Sequence, residues 1–173
     1  MTPGGAISTV VGTGVVGSTG DGLQATAATL NAPIGIVIDA SGNLYISEPA
    51  ANRIRKVTAA TGIISLYAGT GSTASGGDGG SALSAGIYNP MGLALDVDGN
   101  LYIAESLAHR IRKMTPNGTI STVAGTGELG LDKKDDLMAT ATKLKRPFAI
   151  EFDPAGNLYI SDTINSRILR VAK

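Results

Sequence analysis

The octapeptide DVDGNLYI (96–103) sets two carboxylates beside a glycine and an asparagine, the residue types of a calcium loop. A helix-flanked calcium loop needs oxygen ligands at alternate positions and glycine at its sixth, but Gly99 comes only three residues after Asp96. The stretch recurs as DASGNLYI (39–46) and DPAGNLYI (153–160), where Ser41 and Ala155 replace the second carboxylate, Asp98. What persists is Asp-x-x-Gly-Asn. Aspartate first and glycine fourth is the pattern of a tight type I turn, so the motif predicts a bare turn and no metal site.

A second chemical pattern is GTGVVG (12–17), a literal G-x-G-x-x-G behind ISTVV, with Asp39 further along as in a dinucleotide fold. Pyrophosphate binding needs a helix opening at those glycines, so that its first amides face the ligand. Here STGDG follows, and GTGSTA (69–74) and GTGELG (125–130) occupy equivalent places. The glycines track a repeat, and no cofactor is expected. Glu48 and Arg53, Glu105 and Arg110, and Asp162 and Arg167 repeat an acid-to-base spacing across a short loop. On a hairpin such ends face each other, which predicts a cross-strand ion pair bracing each loop. A feature present in every repeat is structural; catalysis calls for one distinctive constellation, and no catalytic group is assigned.

The residues that break the repeat are the candidate ligand contacts. His109, the one histidine, stands where the other copies have Asn52 and Ser166. Glu151 interrupts an apolar run at the place of Val37 and Ala94, and a carboxylate there must be paired or reach water. The stretch LDKKDDLMATATKLKR (131–146) ends on Arg146 and is charged where the other copies are not. It reads as a short solvated helix or as a contact patch specific to one repeat. Glu151, His109, Asn52 and Arg146 are therefore the four candidates.

The elements that must position these groups follow from a period. The Asp-x-x-Gly-Asn motif starts at Asp39, Asp96 and Asp153, an interval of 57 residues each time, and so regular a spacing marks a repeat architecture. Each unit runs from Pro33, Pro90 or Pro147 through an apolar run (IGIVI, MGLAL, FAIEF), the turn, NLYI, a loop, and RIRKV, RIRKM or RILRV. Two units close with GIISLYAGTG or GTISTVAGTG. Four short strands joined by turns are the composition of one propeller blade. The innermost strand lacks alternation, as expected where both faces of a blade are covered.

Bulk composition bounds the function. Fourteen basic residues balance fourteen acidic ones, and cysteine is absent. Net neutrality leaves no electrostatic footprint for nucleic acid or an anionic membrane, and no apolar run reaches the ~18 residues of a span. Absence of cysteine removes disulfides and thiolate chemistry but fixes no compartment, since exported bacterial proteins share it. No secretory leader pattern follows Met1.

The repeated residues resemble the NHL-repeat family of β-propellers, whose blades carry a similar D-x-x-G-N-L-Y-V-A-D-x-x-N-x-R-I core. The likeness spans nearly the whole chain. It departs from the family triplet with NRI (52–54), HRI (109–111) and SRI (166–168), and adds long insertions before each proline, as some bacterial and teneurin-like members do. The resemblance implies an all-β fold and, as the commonest form, a six-bladed ring. It does not imply one activity, because relatives include binding modules, lyases and hydrolases. Family lyases use several metal-bound histidines, which a single histidine does not supply.

The expected organisation is one unit over 1–173, with blade 1 at 33–71, blade 2 at 90–127 and blade 3 at 147–173 lacking its outer strand. The opening MTPGGAISTVVGTG matches MTPNGTISTVAGTG at 114–127, so residues 1–14 are read as the missing outer strand moved to the front. Propellers have ~4–8 blades. The expectation is a homodimer of two half-rings, each lending its first strand to the other's last blade. The leading function is a non-catalytic module binding a protein, peptide or small ligand on the loop-rich face. The alternatives are a lyase or hydrolase and a sugar-binding propeller, the last weakened by 4% aromatic content without tryptophan.

Overall fold

The structure, a computed structural model, describes residues 4–132, 134 and 137–173. Among the described residues, eleven strands form three antiparallel meanders. The first holds β1 (Ile36–Ile38), β2 (Leu44–Glu48), β3 (Arg53–Val57) and β4 (Ile64–Ala68). The second holds β5 (Pro90–Leu95), β6 (Leu101–Glu105), β7 (Arg110–Met114) and β8 (Ile120–Ala124). The third holds only β9 (Pro147–Phe152), β10 (Leu158–Asp162) and β11 (Arg167–Val171). The strands are rich in Ile, Val, Leu and Tyr, side chains that suit a pleated and half-buried surface.

The turns between first and second strands have the chemistry read from the sequence. Asp39 Oδ1 accepts the Ser41 and Asn43 amides at 2.9 Å each, and Asn43 Nδ2 donates to Oδ2 at 2.8 Å. Asp96 and Asp153 make the same bonds to Asn100 and Asn157. Gly42, Gly99 and Gly156 all adopt positive φ, which only glycine accepts without strain. The carboxylates spend their lone pairs on their own turns. Asn43 Oδ1 also accepts the Ala59 amide at 3.0 Å, tying this turn to the one between β3 and β4.

Sheets stack face to face. One core joins Tyr45, Ile54 and Ala68 of blade 1 to Leu93, Leu101, Ile103 and Ile120 of blade 2; a second joins Ala104, Ile111 and Ala124 of blade 2 to Ile150, Leu158 and Ile160 of blade 3. Glycine permits the approach near the innermost strands. A Cβ on Gly92 would lie 2.5 Å from Phe148 O, and one on Gly35 would collide with Met91 O.

The long insertions before the prolines run beside the outer strands. The second and third insertions contribute to the cores shared by two blades, and the first packs on blade 1. Ala82, Ala85 and Ile87 complete the first core, Leu144 and Ala139 the second, and Ala25 and Ala28 pack on Ile64 and Val57. The residues between the prolines and the preceding strands are thus packing material. Within 131–146 the regular element is a 3₁₀ turn at Ala139–Ala141, shorter than the helix expected there; positions 133, 135 and 136 lie outside the described residues. No described helix is long and apolar enough to cross a membrane.

Candidate functional site

The charged groups gather at the end of each blade that carries the loop between its second and third strands. Register puts Glu48 opposite Arg53 and Ile46 opposite Arg55, so both arginines share the glutamate's face. The carboxylate chooses the diagonal partner. Glu48 Oε2 lies 3.4 Å from Arg55 Nη1, both side chains fully buried, while Arg55 also meets Asp21 at 2.8 Å. Blade 2 repeats this with Glu105, Arg112 at 3.3 Å and Asp78. The expected pairs Glu48–Arg53 and Glu105–Arg110 are therefore corrected to Glu48–Arg55 and Glu105–Arg112. Arg53 instead runs along the rim beside Gly71, its buried Nε without a hydrogen-bond partner, and Arg110 donates to Thr126 O at 3.5 Å.

Blade 3 explains the choice. Leu169 occupies the place of Arg55 and Arg112, and there Asp162 turns to the directly opposite Arg167 at 2.8 Å. The pairing follows whether an arginine stands two residues deeper on the shared face, together with the reach of the acid, since Asp162 is one methylene shorter than Glu48 and Glu105. The glutamates accept further bonds too: Glu48 accepts Asn31 N at 2.7 Å and Ser18 Oγ at 2.8 Å, and Glu105 accepts Ser75 Oγ. Burial nonetheless pushes the Glu105 carboxyl above its ordinary range, against the pull of Arg112 and Ser75. Sequence reasoning missed Arg55, Arg112, Asp21 and Asp78. The signal was the repeated R-I-R, which places two arginines on one face, together with the Gly-Asp-Gly of the two insertions.

Two of the four candidate contacts act between blades. Asn52 and His109 both have left-handed backbones, with φ of 54° and 55°. Asn52 Oδ1 accepts the Asn89 amide of blade 2 at 2.9 Å, and His109 Nδ1 accepts the Arg146 amide of blade 3 at 3.2 Å. Each is a clasp on the residue preceding the next blade's proline. A histidine accepting at Nδ1 is neutral, and burial and the Arg146 charge hold its pKa below the ordinary range. Arg146 itself is exposed, and Glu151 lies exposed on the uncovered face of blade 3, its Oε1 accepting its neighbour's amide at 3.2 Å. These four residues do not converge on one pocket. Among the described residues there is no group of three or more His, Cys, Asp or Glu able to hold a metal.

The profile of the teneurin NHL domain matches residues 70–134. Teneurin-3 of Mus musculus is 30% identical over 150 residues, covering 77% of this chain but 5% of that protein. A structural-genomics protein of Bacteroides thetaiotaomicron superposes with a TM-score of 0.70 at 24% identity, over 84% of this chain and 37% of that one. Streptogramin B lyase superposes at 0.56 and 20%, over 82% and 37%. The chain thus spans well under half of the proteins it matches. Repeated four-stranded meanders stacked through glycine contacts define a β-propeller module. This chain belongs to the NHL-repeat family of such propellers.

Proposed function

We propose that this chain is a non-catalytic propeller scaffold. It completes a six-bladed ring with a second copy, and presents the end bearing the β2–β3 loops and their counterparts to a protein, peptide or small ligand. The observation that carries the reading is the fit between one unpaired segment and one vacant strand position. Residues 4–10 are exposed, with Ile7 wholly so. Their sequence matches the lead-in and strand β8, which pairs Met114 with Ile120 and Arg112 with Thr122.

The vacant position has two edges. One is the free side of β11. The other is the insertion at Leu137–Ala139, whose counterparts grip the outer strands of blades 1 and 2: Ala25 N donates to Gly62 O and Ile64 N to Leu23 O, and Ala82 N donates to Gly118 O and Ile120 N to Gly80 O. Among the described residues, this segment pairs with no outer strand in blade 3, and Met138 is 75% exposed. By the same pattern Ile7 of a second copy pairs with Val171, its amide donates to Leu137 O, and Ala139 N donates to Gly5 O. The segment also leaves in the right direction, because Gly12 N donates to Ala25 O as Gly69 N does to Ala82 O and Gly125 N to Ala139 O.

Two copies would cover every exposed edge, which soluble sheets rarely leave open. Light scattering on the 173-residue chain should give twice 17.4 kDa. A folded chain that stays monomeric at every concentration would sink the ring. Ile7→Asp, which puts a charge into the shared sheet, should raise the dissociation constant at least tenfold without unfolding the blades.

A further inference from the structure

We infer that the two seams where blade 3 meets blade 1 of a second copy are the loosest in the ring and the places where it opens, with Ala149 acting as a wedge. This rests on the ring proposed above. Every blade-to-blade contact inside the chain uses three devices, and blade 3 lacks all three on its uncovered face.

The first device is a glycine. Gly35 and Gly92 leave no room for a Cβ against Met91 O and Phe148 O of the following blade. One period further on the residue is Ala149, which would face the carbonyl of Ile34 in a second copy. Unless the strands part, its methyl occupies the space that carbonyl needs. The second device is the clasp from a left-handed residue, Asn52 to Asn89 N and His109 to Arg146 N. Its third counterpart is Ser166, also left-handed, whose hydroxyl is shorter than an asparagine amide and would have to reach Ala32 N. The third device is the apolar row. Val37 packs into the first core and Ala94 into the second, but the equivalent Glu151 presents a carboxylate.

Enough apolar surface remains for the seam to form. Tyr102 packs edge-on against Phe152 with ring centroids 4.8 Å apart, and the equivalent pair across the seam is Tyr159 with Ile38. Ile38 and Ile36 are both about two-thirds exposed in one chain, and Ile168 likewise. The seam is therefore complementary in type but spaced apart, held by the exchanged strand more than by blade faces. Overpacked contacts of this sort destabilise where the structure cannot relax, and here relaxation means a wider gap.

The test is the dissociation constant of the dimer by analytical ultracentrifugation over a dilution series, for the parent chain, Ala149→Gly and Ala149→Val. Ala149→Gly should tighten the dimer about tenfold and Ala149→Val should weaken it. Strand propensity alone runs the other way, since valine favours strands and glycine disfavours them, so the order separates a wedge from a generic effect. Adding Glu151→Val and Ser166→Asn to Ala149→Gly should tighten it further. A dimer whose constant is unchanged or raised by Ala149→Gly overturns the wedge and leaves the ring standing. If the parent and the triple variant both remain folded monomers, the ring itself fails and the seam with it.

Discussion

The buried acids of blades 1 and 2 show how a single side chain in a neighbouring strand redirects an ion pair. With Arg55 or Arg112 present, the glutamate bonds diagonally and inward; with Leu169 there, Asp162 bonds straight across. Arg112→Leu should let Glu105 turn straight across to Arg110, as Asp162 turns to Arg167, whereas Arg112→Leu together with Arg110→Leu strands a desolvated charge and should cost about 3–5 kcal/mol, read as a lower urea midpoint. Arg110→Leu, on the rim and without the glutamate, should cost far less. His109 offers a second test. Its folded pKa is depressed, so its share of stability is complete above the ordinary histidine value of about 6.5 and is lost as pH falls through the lower folded value. His109→Asn, the residue its counterpart Asn52 already uses, should keep the clasp while removing that loss. His109→Ala should cost about 1 kcal/mol. Melting curves at pH 7.5 and 5.0 distinguish the three.

Among the elements, the Asp-x-x-Gly-Asn turns carry an acid-sensitive share of the fold. The Asn157 side chain and amide hold the Asp153 carboxyl below its usual range, and at Asp39 and Asp96 the equivalent bonds outweigh the upward push of burial. Folded values below the unfolded ones mean stabilisation that is full above about pH 4–5 and lost as pH falls through the folded values. Replacing all three aspartates by asparagine should flatten the dependence of unfolding free energy on pH between 5 and 3. The blade contacts make a separate prediction. Gly92→Ala puts a methyl 2.5 Å from Phe148 O and should cost about 1–3 kcal/mol, measurable by thermal melting. Much of this was legible beforehand: the turns and the succession of short strands appear as repeats. The role of the insertions was not. Their small residues, such as Ala25, Ala82 and Ala85, give no periodic signal, and only the groove between two sheets makes them core.

At the scale of the whole molecule, the absence of a converged charged pocket among the described residues sets an expectation for chemistry. The buried carboxylates Glu48, Glu105 and Asp162 are each held by arginine and by further donors from their own blade or its insertion, so purified protein should carry no stoichiometric transition metal, and elemental analysis checks it. A bound metal in molar ratio would move the reading towards an enzyme. The sequence by itself determined the period, the strand count, the turn chemistry and the kinship of residues 4–11 with β8, because each is local and is written more than once. Tertiary structure alone decided which arginine each glutamate meets, that Asn52 and His109 clasp the following blade, and that Gly35 and Gly92 stand against a carbonyl while Ala149 faces open solvent. Those outcomes depend on what a second sheet places a few ångströms away, and spacing along one chain does not encode the distance between two sheets.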